Sequence, residues 1–163
     1  MLTRRRLMLL GLGTVPAVAS RGIWETSLGA AEKFEVTHTD AEWRKLLTSA
    51  QYAVLRHAAT EPPFSSPLDS EKRRGTFACA GCQLDLFSSA TKFDSGTGWP
   101  SFWAPLENAV GTTRDLSLGM LREAVHCRRC GGHLGHVFDD GPRPTGLRYC
   151  MNGVAMTFKP LTA

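Results

Sequence analysis

Two short cysteine pairs constrain this chain more than any other feature. Cys79-Ala-Gly-Cys82 and Cys127-Arg-Arg-Cys130 both read Cys-x-x-Cys, and two such knuckles within 163 residues point to one tetrahedral structural zinc ion. Cys82 and Cys127 are separated by 44 residues. Compact zinc ribbons close over far shorter spans, so an ion here would staple segments that are distant in sequence. Two other uses of the pairs stand beside this one: disulfides formed in an oxidising compartment, and a thioredoxin-like redox centre. The glycines in Cys79-Ala-Gly-Cys82 and Cys130-Gly-Gly suit tight metal-binding turns, and neither pair lies between a parallel-strand pattern and a helix pattern. A site with four sulfur ligands keeps no open position for water or substrate, which argues against hydrolysis by the metal.

One cysteine remains, Cys150, in Arg148-Tyr149-Cys150-Met151-Asn152. A free thiol can be a nucleophile, and it can equally be a buried core residue. If this stretch is a strand, Arg148, Cys150 and Asn152 share a face. A cation there would lower the thiol's pKa, and the amide could orient a group bound at the sulfur. Gly132-His133-Leu134-Gly135-His136-Val137-Phe138 brings two histidines three residues apart, either of which could serve as general acid or stabilise a thiolate. Asp94-Ser95-Gly96-Thr97-Gly98-Trp99-Pro100-Ser101-Phe102-Trp103 is a glycine-rich aromatic loop able to present an indole face to a small apolar ligand.

The start of the chain reads as an address. Arg4, Arg5 and Arg6 precede an apolar run from Leu7 to Val18, and Ala17-Val18-Ala19 fits a small-residue cleavage rule. Residues 1–19 are therefore expected to be a twin-arginine signal and residues 20–33 a flexible lead-in, with a single domain over 34–163. Export of a folded protein, to the periplasm, follows; the alternative is a membrane tether by an uncleaved signal. Without the signal segment the formal charge of +4 drops by its three arginines to +1. No basic footprint for nucleic acid remains, and a monomer is expected.

Thr39-Asp40-Ala41-Glu42 and Thr48-Ser49-Ala50-Gln51 are capping boxes. Each leads into an apolar stripe at helical spacing: Trp43, Leu46 and Leu47, then Tyr52, Val54, Leu55 and Ala58. The pair is expected to do no more than cover the core. From Gly75 the chain breaks into short apolar runs between glycines and prolines: Thr76 to Ala78, Leu84 to Phe87, Leu121 to Val125, His136 to Phe138 and Val154 to Phe158. These predict a mainly β fold of antiparallel strands, closed into a sandwich or barrel behind short N-terminal helices.

Taken together, Thr60-Glu-Pro-Pro-Phe-Ser65, the two cysteine knuckles, Ser95-Gly-Thr-Gly-Trp-Pro-Ser-Phe102, His133 to Pro142 and Gly146-Leu-Arg-Tyr-Cys-Met-Asn152 resemble the B-type methionine sulfoxide reductases. The match runs in order from about Phe34 to Phe158. It implies two packed antiparallel sheets with N-terminal helices, and a structural zinc on Cys79, Cys82, Cys127 and Cys130. It also implies a nucleophile at Cys150, an aromatic at Trp99 that receives the substrate methyl, and polar active-site groups at His133, His136 and Asn152. Arg148 and Phe138 join these as expected catalytic and substrate-binding residues respectively. The implied reaction is reduction of methionine (R)-sulfoxide in peptides and proteins, leaving Cys150 as sulfenic acid.

The chain departs from the family at two places. Thr97 stands where many members carry a resolving cysteine, and no sixth cysteine exists, so an external thiol, thioredoxin-like or small, is expected to resolve Cys150. Gly153 follows Asn152 where serine is common. Two rival classes remain for these residues. One is a zinc-stapled binding module, and the other a cysteine hydrolase pairing Cys150 with His133 or His136, for which no oxyanion-hole motif is visible.

Overall fold

The structure, a computed structural model, describes residues 33–119 and 121–162. The expected signal segment and nearly all of the lead-in lie outside the described residues. No helix among those described is long and apolar enough to cross a membrane.

Two helices open the fold, α1 (Asp40–Leu46) and α2 (Ser49–His57). Both capping boxes form as the sequence predicts: the Thr39 and Thr48 hydroxyls accept from the backbone N–H of Glu42 and Gln51, whose side chains accept in return from the cap N–H groups. Each cap satisfies helix-terminal donors that otherwise lack partners, and is worth about 1 kcal/mol. Helix α1 buries Trp43, and Leu47, at its end, is also buried. Leu46 departs from the predicted stripe and is 59% exposed, because a seven-residue helix turns only one narrow face inward. Helix α2 buries Tyr52, Val54 and Leu55, while Ala58 is exposed at a left-handed C-cap.

The strands are β1 (Gly75–Cys79), β2 (Asp85–Ser88), β3 (Lys92–Phe93), β4 (Ser101–Phe102), β5 (Val110–Asp115), β6 (Arg122–Cys127), β7 (His133–Phe138), β8 (Arg148–Met151) and β9 (Met156–Pro160). Among the described residues they form two antiparallel sheets, ordered β2-β1-β9 and β3-β4-β8-β7-β6-β5. The mainly β fold with two antiparallel sheets behind short helices is the one expected. One predicted strand starts late: Val154 and Ala155 belong to a 3-10 turn, Gly153–Ala155, and extended backbone resumes at Met156.

Aromatic rings join the two sheets. Phe87 of β2 stacks on Phe102 of β4 at 4.4 Å between ring centroids, and Phe77 of β1 meets the same ring edge-on at 4.9 Å. All three are fully buried, and each contributes roughly 1.5–3 kcal/mol by leaving water. Tyr149 of β8 lies against Phe87 on this inner side. Neighbouring strand residues point to opposite faces, so Cys150, next to Tyr149, points away from the three-stranded sheet. The thiol singled out from the sequence therefore sits on the outer face of the larger sheet.

Gly135 lets β7 and β8 come together there. A Cβ on this glycine would stand 2.1 Å from the Cys150 carbonyl oxygen. No side chain fits, and the strand carrying His136 can lie directly beside the strand carrying Cys150.

Candidate active site and metal centre

The cysteine pairs meet where the sheets end. Cys79 closes β1 in one sheet and Cys127 closes β6 in the other, with Cys82 and Cys130 in the turns that follow. The four Sγ atoms lie within 4.8 Å of one another, with Cys79 to Cys130 at 3.7 Å and Cys82 to Cys127 at 3.5 Å. Sulfurs placed tetrahedrally around an ion at about 2.3 Å would stand about 3.8 Å apart, so the set fits a tetrahedral metal. Four thiolates this close would repel one another, and a divalent cation among them would relieve that repulsion. The helices roof this cluster. The Arg56 guanidinium donates to the Cys130 carbonyl at 3.0 Å and lies over the Trp43 ring.

The second site grows outward from Cys150. Strand β8 runs between β4 and β7, so Cys150 faces Ser101 on one side and His136 on the other. A cleft of about 150 Å³ opens above it, walled by Trp99, Phe138, His136, Arg122, Thr60 and Asn152. A larger hollow of about 590 Å³ lies between α2, residues 59–68 and β9, but neither Cys150 nor a histidine lines it. Cys150 and His136 both line the smaller one.

Burial pushes the Cys150 thiol up from its ordinary value. The Thr97 hydroxyl, the Arg148 guanidinium and the Ser101 hydroxyl pull it down, without reversing the direction. Arg148 thus acts on the thiol in the sense the sequence suggested, but burial outweighs it. Its guanidinium is also shared: it grips Asp140 with two bonds of 2.8 Å and lies 4.5 Å over the Phe138 ring.

The two histidines have different surroundings. His136 Nε2 lies 2.7 Å from Asp115 Oδ2, and the same oxygen takes a bond from Arg122 at 2.7 Å. The Ser117 hydroxyl, followed by His136, holds the Asp115 carboxyl well below the usual carboxylate range. His133 does not line the cleft; burial, then His136, pushes its pKa down to about 4, and its buried Nε2 has no hydrogen-bond partner among the described residues. Sequence reasoning missed Asp115. Register explains its arrival: Thr113 pairs with Ala124 and Ala124 with His136, so Asp115, two residues along from Thr113, reaches diagonally past a small alanine.

Asn152 is 4% exposed, and both ends of its amide bond backbone: Nδ2 donates to the Leu134 carbonyl at 3.0 Å, and Oδ1 accepts from Glu61 N–H at 2.9 Å. Glu61, part of the stretch 60–65 that carries the resemblance, has a role that the sequence did not reveal. Its carbonyl accepts from Trp99 Nε1 at 3.1 Å, and its carboxylate accepts from the Gly153 and Val154 N–H groups. Asn152 and Glu61 thereby fix the indole beside the thiol. A Cβ at Gly153 would stand 2.0 Å from the Ser66 hydroxyl, which accounts for the glycine there.

A four-sulfur cluster and a separate, half-buried cysteine in an aromatic cleft fit a thiol-based enzyme, and the sequence comparisons say which one. Residues 47–160 match the SelR domain. The chain is 56% identical over 127 residues to the peptide methionine sulfoxide reductase MsrB of Pseudomonas putida strain W619, covering 77% of this chain and 96% of that protein. Its identity is 54% to the protein of that name from Bradyrhizobium diazoefficiens (77% and 91% covered) and 50% to that of Leptospira interrogans (77% and 97% covered). The chain belongs to the B-type peptide methionine sulfoxide reductase family, and it is an oxidoreductase acting on methionine sulfoxide. The binding-module and hydrolase readings fall away.

Proposed function

We propose that this protein reduces the R epimer of methionine sulfoxide in peptides and proteins, with Cys150 as nucleophile. The observation that carries the reading is a lone thiol at the floor of an aromatic cleft, directly across the strand pair from His136. Trp99 and Phe138 offer apolar walls for the methyl and methylene groups flanking the sulfoxide sulfur. The Cys150 thiolate attacks that sulfur and His136, oriented by Asp115, protonates the sulfoxide oxygen; the hydroxyl then passes to the Cys150 sulfur as the substrate's sulfur–oxygen bond and the transient sulfur–sulfur bond break. Low basicity makes His133 a poor proton carrier near neutrality. Methionine leaves and Cys150 is left as sulfenic acid. An external thiol then attacks the sulfenic sulfur and releases water, and a second thiol displaces the resulting mixed disulfide, restoring Cys150 and oxidising two reductant thiols to one disulfide.

The metal is zinc on this reading, held by Cys79, Cys82, Cys127 and Cys130; an all-sulfur tetrahedral set suits that ion and supplies a staple between sheets. Residues 1–19 direct export to the periplasm, or tether the protein where the signal stays uncleaved; changing Arg4 and Arg5 to lysine should then hold the protein in the cytoplasm.

Peptides carrying each epimer, with dithiothreitol as reductant, test the activity. The zinc-loaded wild type should consume the R epimer and leave the S epimer, and Cys150→Ser should consume neither. Equal consumption of both epimers, or turnover by Cys150→Ser, would contradict the proposal.

A further inference from the structure

Three hydroxyls are linked in a chain beside the thiol, with Thr97 and Ser101 both acting on its sulfur. Thr97 Oγ1 is 3.9 Å from Cys150 Sγ, Ser95 Oγ is 2.8 Å from Thr97 Oγ1, Ser101 Oγ is 2.8 Å from Ser95 Oγ, and the Ser101 hydroxyl donates to the Trp99 carbonyl at 3.1 Å. Ser101 is 1% exposed, so water does not compete for its hydrogen.

Each hydroxyl has one hydrogen to give, which fixes the direction of the chain. With Ser101 donating to the carbonyl, the short Ser95–Ser101 contact requires Ser95 to donate to Ser101. Thr97 must then donate to Ser95, and Thr97 Oγ1 is left to accept from the Cys150 S–H. A thiolate has no hydrogen to give and needs a donor instead. For Thr97 to turn its hydrogen to the sulfur, Ser95 must turn to Thr97 and Ser101 to Ser95. Passing protons along the same chain would lead only to the Trp99 carbonyl, a dead end.

We propose that Ser95, Thr97 and Ser101 form a directional hydroxyl chain whose polarity reverses when Cys150 ionises, making Thr97 the positioning partner of the thiolate and Ser95 the residue that backs it. The proposal rests on Cys150 being the nucleophile and adds the groups that stabilise its anion. Successive hydroxyls polarise one another, so the end donor is stronger than an isolated one. The Thr97 and Ser101 hydroxyls both draw the thiol down against burial. The other groups facing the sulfur are Arg148 on β8, His136 on β7 and Arg122 of the cleft wall, with Asp140 and Asp115 paired to them. They set a background common to every variant compared.

The test is the pH profile of Cys150 alkylation by iodoacetamide on zinc-loaded protein, with zinc content and unfolding temperature checked for each variant. Thr97→Val keeps the shape and removes the hydroxyl; it should slow alkylation at pH 7 about tenfold and move the profile to higher pH, with the same plateau once all thiol is ionised. Thr97→Ser should restore the wild-type profile. Ser95→Ala leaves the sulfur's immediate neighbour intact and should slow alkylation roughly threefold. Its effect should shrink once Thr97 is valine, what remains passing through Ser101, which also acts on the sulfur. Ser95→Ala and Thr97→Ser together carry the test if Thr97→Val fails to accumulate. A Thr97→Val profile that superimposes on the wild type, or a Ser95→Ala effect undiminished in the valine background, would overturn the proposal. Alkylation needs no sulfoxide, so this outcome is separate from the fate of the reductase reading.

Discussion

At the scale of single residues, burial and charge divide labour between groups of the same type. Burial pushes the Cys150 thiol up while the Thr97 hydroxyl and then Arg148 pull against that. Replacing Arg148 with methionine should therefore raise the thiol's pKa, moving the ascending limb of the pH–rate profile to higher pH; a limb shifted to lower pH would contradict this. His133 makes a stability prediction. Its pKa falls from 6.5 to about 4 on folding, so the unfolded chain binds the proton first. The native state keeps its full advantage above about pH 6.5 and loses it as pH falls to about 4. His133→Gln should flatten that dependence by no more than about 3 kcal/mol, less the solvent screening of a partly exposed ring, measured by urea unfolding against wild type at pH 4.5 and 7. Comparing variants cancels the contribution of the cysteine cluster.

Among the elements, legibility in the sequence followed how local the determining interactions are. Both capping boxes were readable because each closes within four residues. Runs such as Thr76 to Ala78 and Leu84 to Phe87 were readable because their apolar content reflects a buried face. Strand β5, Val-Gly-Thr-Thr-Arg-Asp, carries no such signal: it is an edge strand with three exposed residues, held by pairing with β6. Two-residue strands such as β3 and β4 give no period at all. The site followed the same rule. Cys150, His136 and Trp99 could be picked out from local motifs, whereas Asp115 depends on the register of three strands and Glu61 on a loop folded back across the sheet. Asp115→Asn keeps the shape but removes the charge that orients His136. It should lower kcat for sulfoxide reduction by roughly tenfold to a hundredfold with little change in KM, measured by steady-state kinetics. A change confined to KM would assign Asp115 to substrate binding instead.

For the whole molecule, the decisive feature is that the sulfur count leaves Cys150, the proposed nucleophile, without a partner inside the fold. Four thiols join the sheets at one end, while the fifth lies in a cleft on the outer face. Stripping the metal, or changing Cys82 to serine, should abolish the cooperative unfolding transition along with activity, because binding and folding of such sites are coupled by several kcal/mol or more. Retention of a sharp transition by metal-free protein would show that the sheets hold without the staple. With the cysteines so divided, oxidised Cys150 has only outside thiols to turn to. The most direct measurement supplies methionine sulfoxide without reductant and adds dimedone, then follows methionine release, the adducted residue and zinc content. The account predicts a single turnover, dimedone on Cys150 and zinc fully retained. A disulfide between Cys150 and one of the four clustered cysteines, with zinc released, would contradict it.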